Sequence, residues 1–147
     1  MSKSSEKRAQ FRKELIKALR TYAMEIARKY PTIKLVMLYG SFARGDWHSG
    51  SDADILIIAD ELPPTYGERW DLFQTIIMGI SVEPHAYTPK ELEDMLKHGR
   101  MTALDALTEG IILYAEPEYI TKLKRELTSV MKCLKLRKIG NAWIRRH

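Results

Sequence analysis

Two aspartates separated by a single residue, Asp52 and Asp54, follow a polar loop and open an apolar run. Side chains two apart on a strand point to the same face, so the two carboxylates are expected to project together. At about 6 Å, two such charges repel by roughly 3 kcal/mol at an effective dielectric near 20. Mg²⁺ relieves such repulsion, because it takes oxygen ligands from one or two carboxylates and from substrate phosphates. The pair predicts half of a metal site, although acidic pairs at strand ends also occur without a metal.

Gly40 and Ser41 lie one loop before the carboxylates, at the end of another apolar run. A strand that ends here and turns into a short helix offers free backbone N–H groups, a hydroxyl and close backbone approach to an anion. Triphosphate chemistry needs such donors for the phosphate oxygens and a metal to neutralise charge. The two features together favour a phosphate-bearing substrate.

The elements that must position these residues follow from hydrophobic periodicity and from turn signals. Pro84 lies inside one predicted strand and favours an edge position, because proline cannot donate to a strand ladder. Thr88, Pro89 and Glu91 form a helix-start pattern. The predicted strands cover residues 33–39, 53–59, 80–88 and 111–115, and the predicted helices cover 5–29, a segment through Tyr66, Trp70, Phe73 and Ile77, then 89–98, 102–109 and 117–138. The pattern indicates the mixed α/β (α+β) class.

Bulk composition is typical of one soluble domain. The chain has 147 residues, 45% of them hydrophobic and 29% charged, and it has no apolar run of membrane-spanning length. The polar N-terminus lacks a secretory h-region, and the single Cys133 cannot form an internal disulfide. We therefore expect a cytoplasmic protein without membrane association.

Positive charge is concentrated near the C-terminus. Residues 117–147 carry nine Lys or Arg against two Glu, which gives +7, whereas the whole chain carries +5. Such a segment is either a solvated helix face or a surface for nucleic acid or an acidic partner. The candidate contacts are Lys122, Lys124, Arg125, Lys132, Lys135, Arg137 and Lys138.

The run Gly40-Ser41-x-x-x-Gly45-x-x-x-x-x-Ser51-Asp52-x-Asp54 resembles the signature of the DNA polymerase beta-like nucleotidyltransferase superfamily. In size and element order the chain is similar to the minimal nucleotidyltransferase (MNT) group, whose members often accompany a helical HEPN partner. The resemblance covers roughly residues 10–115. It implies a small mixed β-sheet with helices on one face, and a nucleotidyltransferase domain over 1–116 with the basic segment 117–147 as part of the same single domain.

The resemblance also implies roles for individual residues. Asp52 and Asp54 would bind two metal ions, Mg²⁺ or alternatively Mn²⁺, and Gly40 with Ser41 would hold the phosphates of a nucleotide. Family members use a third carboxylate on a later strand, for which Glu83 is the candidate; it would bind the catalytic metal and help to deprotonate the attacking hydroxyl. Arg44 and Ser51 are assigned to nucleotide binding, with Ser51 alternatively bracing the start of the strand.

Other residues are given no catalytic role at this point. Trp47 is expected to pack locally. His85, His98 and His147 show no metal-ligand spacing in the sequence.

The activity implied by the resemblance is metal-dependent transfer of a nucleoside monophosphate, AMP from ATP in the first instance, to an acceptor hydroxyl. A chain with so few residues beyond the core has little room for its own acceptor-binding domain, so we expect a HEPN-type protein partner or a homo-oligomer to complete the site. The alternatives are a partner-binding antitoxin without catalysis and a nucleic-acid-binding protein that uses the basic segment.

Overall fold

The computed structural model describes residues 3–134, 136–139 and 142–145 of the chain. The helices are α1 (Lys3–Lys29), α2 (Ser41–Arg44), α3 (Tyr66–Phe73), α4 (Pro89–Lys97), α5 (Met101–Glu109) and α6 (Pro117–Leu134). The strands are β1 (Ile33–Tyr39), β2 (Ala53–Ala59), β3 (Thr75–Ile77), β4 (Ile80–Tyr87), β5 (Ile111–Ala115), β6 (Leu136–Ile139) and β7 (Ala142–Arg145). None of the helices in these ranges has the length and apolar character needed to cross a bilayer.

Five strands form one mixed sheet in the order β3-β4-β2-β1-β5. β1 lies antiparallel to β2 and to β5, β4 lies parallel to β2, and the short β3 lies antiparallel to β4. This arrangement confirms the predicted class, a small mixed sheet with helices packed on it. The central strands β1 and β2 are buried along almost their whole length, as their continuous apolar runs predict.

The helices cover both faces of the sheet, so the expectation of helices on one face is wrong. Leu15, Leu19 and Ile26 of α1 pack on one face, against β-strand residues that include Ile55 and Ile57. The other face carries Leu56 and Ile58 and packs against apolar residues of the later helices, namely Leu92, Leu96, Ala103, Leu104, Ala106, Leu123 and Leu127. Because both faces of β2 are apolar, both must be covered.

The expected edge position of the strand containing Pro84 is also wrong, because β3 pairs with its outer side. β3 is short, however, and its register with β4 runs only from Ile80 to Val82. Pro84 lies beyond the end of that pairing and has a strand neighbour only in β2, opposite Ile55. The missing N–H of proline is therefore tolerated as it is on an edge strand.

Two predicted helices run too far. α3 ends at Phe73, and Ile77 belongs to β3, which turns into β4 through Met78 and Gly79, both with positive φ. α6 ends at Leu134 rather than at 138, and β6 pairs antiparallel with β7. The predicted basic residues Arg137 and Lys138 thus lie on a strand, and Lys135 lies outside the described residues. The helix start at Thr88 is confirmed, with a complete capping box to Glu91.

The packing of α1 on the sheet can be tested by comparing a buried residue with an exposed residue of this helix. Leu19 is fully buried, whereas Met24 of the same helix is 56% exposed. We expect Leu19→Ala to lower the free energy of unfolding by about 2–5 kcal/mol, because it leaves a cavity against the sheet. Met24→Ala is the matched control and is expected to change it by no more than about 0.5 kcal/mol. Urea unfolding followed by circular dichroism measures both, and equal losses would contradict the packing described.

Candidate active site

The parallel register of β2 and β4 places Asp54 directly beside Glu83. Both side chains are half-buried and lie on the sheet face that carries Leu56 and Ile58 further along β2. Asp54 is the second residue of β2 and Glu83 the fourth of β4. Two carboxylates far apart in the sequence are therefore held side by side by backbone pairing alone.

His85 joins the two carboxylates because it follows Glu83 by two residues on the same strand face. One ligand atom from each of Asp54, Glu83 and His85 lies within 4.8 Å of the others. The imidazole Nε2 of His85 is 3.9 Å from Oδ1 of Asp54, and its Nδ1 is 3.1 Å from the Tyr66 hydroxyl oxygen. These three side chains form what we call the Asp-Glu-His cluster.

The electrostatics of the cluster suit a cation. A hydrogen bond to Asp54, burial, and the negative charges of Asp54 and Asp52 raise the pKa of Glu83, which His85 opposes. Burial, followed by the charge of Asp54, raises the pKa of the Tyr39 phenol beside it. A raised carboxyl pKa beside another carboxylate reflects repulsion between like charges, which a cation at this position would relieve. The oxygen and nitrogen donors of the cluster are those that bind divalent metal ions, so the residues present fit a metal site.

Gly40 lies against this cluster. Its φ of +76° is a conformation that residues with a side chain rarely adopt, and a Cβ added there would collide with Oδ2 of Asp54. The carbonyl oxygen of Gly40 accepts hydrogen bonds from the N–H groups of Ala43 and Arg44, which starts α2. Glycine is thus required both by the turn and by the close approach of the backbone to a carboxylate.

The turn after Gly40 is fastened to α1. The Arg12 guanidinium donates to the carbonyl oxygens of Phe42 and Ala43 at 2.7 and 2.8 Å. Phe42 is fully buried and stacks on Trp47 with ring centroids 5.1 Å apart. Arg8 lies 3.9 Å over the Trp47 ring on the exposed side. The local packing predicted for Trp47 is confirmed, and it holds the loop that precedes β2.

The other predicted nucleotide-binding residues have partners within the loop or near it. Arg44 pairs with Asp46 at 3.1 Å and with Glu109 of α5 at 3.6 Å. The Ser51 hydroxyl accepts a hydrogen bond from the N–H of His48 at 2.9 Å, which is the bracing contact considered above. Ser41 accepts from the N–H of Gly45 through its carbonyl oxygen, which closes the turn.

Asp52 immediately precedes β2 and lies outside the Asp-Glu-His cluster, although its charge acts on Glu83. His85 was missed by the sequence reasoning, which looked for histidine spacing typical of metal sites. The sequence did contain a signal for His85. Glu83 and His85 are two residues apart on one strand, which is the same spacing that drew attention to Asp52 and Asp54. That signal needs the pairing of β2 with β4, which the sequence did not supply.

Known proteins resemble this chain both in sequence and in fold. A protein of Methanocaldococcus jannaschii named "Putative protein adenylyltransferase MJ1305" is 27% identical over 106 residues, which are 68% of this chain and 71% of that protein. A chain from the crystal structure of a toxin-antitoxin with AMP-PNP superposes with a TM-score of 0.56 at 18% identity, over 79% of this chain and 89% of that one.

A second solved structure has the same fold. A chain from the structure of a tri-AMPylated Shewanella oneidensis HEPN toxin in complex with an MNT antitoxin gives a TM-score of 0.51 at 14% identity, over 82% of this chain and 89% of that one. At these identities the superpositions establish the fold alone.

The model of the family described as "Polymerase beta, Nucleotidyltransferase" matches residues 23–119, more than half of the chain, from the last third of α1 to the start of α6. This range includes Gly40, Asp54 and Glu83, and it confirms the resemblance drawn from the Gly-Ser and Asp-x-Asp residues. The chain belongs to the polymerase beta-like nucleotidyltransferase family.

Proposed function

We propose that this protein transfers AMP from ATP to a hydroxyl group of a partner protein of the HEPN type, in a reaction that depends on Mg²⁺. The observation that carries the proposal is the placement of Asp54 beside Glu83, with Gly40 against Asp54. Family membership supports nucleotidyl transfer. The name of the Methanocaldococcus relative and the toxin-antitoxin complexes that share the fold support a protein as acceptor.

In this proposal Asp52, Asp54 and Glu83 hold two divalent ions, and the backbone of Gly40 and Ser41 holds the phosphates. The bound ions would neutralise the phosphate charge and favour ionisation of the acceptor hydroxyl. The acceptor oxygen forms a bond to the α-phosphorus as the bond from that phosphorus to the bridging oxygen breaks, and pyrophosphate leaves. Glu83, the third carboxylate of the site, takes the hydroxyl proton.

Arg44 and Ser51 have narrower roles in this proposal. Arg44 would reach the triphosphate by exchanging its contact with Asp46, at 3.1 Å, for a phosphate oxygen. Ser51 would act through the hydrogen bond from His48, by fixing the loop on which the nucleotide rests.

Removal of one carboxylate tests the reaction. With labelled ATP, Mg²⁺ and a purified HEPN-type protein, we expect Asp54→Asn to reduce label transfer at least about a hundredfold, because several kcal/mol of charge stabilisation are lost. Asp52→Asn is expected to act in the same direction. Asp71→Asn, at an exposed position of α3, is the matched control and is expected to transfer normally. Undiminished transfer by Asp54→Asn would refute the assignment, and label on RNA instead of protein would refute the acceptor.

Alanine substitutions at two glycines distinguish the effect of backbone strain from the effect of close contact with the site. Gly40 and Gly45 both have positive φ, but only at Gly40 would a Cβ meet Asp54, whereas nothing lies within 4 Å of one at Gly45. We expect Gly45→Ala to lower the free energy of unfolding by about 1–2 kcal/mol, and Gly40→Ala to lower it by more, because Gly40 lies outside the left-handed helical region and its Cβ would meet Asp54. Label transfer is expected to fall sharply for Gly40→Ala only. Equal activity of the two variants, measured well below their unfolding temperatures, would show that close approach to Asp54 is unimportant.

A further inference from the structure

His85 is the member of the Asp-Glu-His cluster that the proposed reaction does not use. Its Nε2 is 3.9 Å from Oδ1 of Asp54. Ligand atoms about 2.1 Å from a six-coordinate ion are about 3.0 Å apart when adjacent and about 4.2 Å apart when opposite. The observed separation lies between these values, so an ion held by Asp54 would also be within reach of the imidazole with only a small adjustment.

The imidazole ring is held in place from its other side. Its Nδ1 is 3.1 Å from the hydroxyl oxygen of Tyr66, and the Tyr39 ring lies 5.9 Å away between centroids. Histidines that bind metals usually donate their second ring N–H to an oxygen, which fixes the orientation of the ring. When Nδ1–H donates to Tyr66, the lone pair of Nε2 faces the Asp54 carboxylate. A lone pair in that position is favourable when a cation lies between them.

Tyr66 is itself fixed at the start of α3. The preceding Thr65 forms a complete capping box with Glu68, which sets the first turn of the helix. The Tyr66 side chain remains 50% exposed, so its hydroxyl reaches His85 from the solvent side of the cluster. Tyr66 is therefore a positioning residue for His85 and not a ligand.

We infer that His85 is a nitrogen ligand of one metal ion and that it makes the site prefer a first-row transition ion such as Mn²⁺ over Mg²⁺. Mg²⁺ binds almost entirely through oxygen and loses its water reluctantly. First-row transition ions accept imidazole more readily, so one nitrogen donor among carboxylates shifts the relative affinity toward them. The inference rests on the proposed function, because it concerns a metal held by the same carboxylates.

Electron spin-echo spectroscopy of the protein with bound Mn²⁺ and AMP-PNP tests the inference directly. We expect a ¹⁴N modulation from a directly bound imidazole, and we expect it to vanish in His85→Ala and in the size-conserving His85→Gln. In equilibrium titrations, His85→Gln is expected to weaken Mn²⁺ binding by about tenfold or more, with a much smaller effect on Mg²⁺. Tyr66→Phe is expected to keep the nitrogen signal and to weaken Mn²⁺ binding by a smaller factor.

His98→Ala is the matched control, because His98 is exposed at the end of α4, where its ring contacts the carbonyl oxygen of Asp94. Bound Mn²⁺ without a nitrogen signal, or equal losses of Mn²⁺ and Mg²⁺ affinity in His85→Gln, would overturn the inference and leave the proposed function intact. Failure of the wild-type protein to bind either ion, even with AMP-PNP, would overturn both.

Discussion

Repulsion between Asp54 and Glu83 is the constraint around which the rest of the site is built. The two carboxylates are neighbours because β2 and β4 pair in parallel, and neither can move away without breaking a strand ladder in the middle of the sheet. In the protein alone, the close contact with Asp54 raises the pKa of Glu83. A site of this kind gains from a divalent cation, since the fold has already brought the ligands together.

The remaining architecture brings the backbone close to this pair. Gly40 approaches Asp54 more closely than any residue with a side chain could. The turn that it begins is fastened to α1 through Arg12, and its Phe42 is buried under Trp47. Helices on both sheet faces bury the apolar strand residues that hold β2 rigid. Loop, strand and helix thus fix the distances between groups that a flexible chain would separate.

Much of this was predictable, and the failures share a cause. The apolar runs predicted four of the five sheet strands, and the Asp-x-Asp and Gly-Ser pattern predicted the family, because these signals are local. Three features depend instead on contacts between distant segments. These are the placement of Asp54 beside Glu83, the pairing of β3 with β4, and the packing of helices on both faces of the sheet. His85 was missed for the same reason. The end of α6 had a local signal, Gly140-Asn141 between two runs that can form strands, which the apolar periodicity of the helix obscured.

Thermal unfolding of Glu83→Gln tests the central claim most directly. If Glu83 is held against Asp54 at an energetic cost, the metal-free variant is expected to melt at a higher temperature than the wild type at neutral pH. This advantage should fade as the pH falls through the raised pKa of Glu83, where the wild type also loses the charge. Added Mn²⁺ with AMP-PNP should stabilise the wild type more than the variant. A metal-free variant that melts below the wild type, with undiminished stabilisation by metal and nucleotide, would contradict the account.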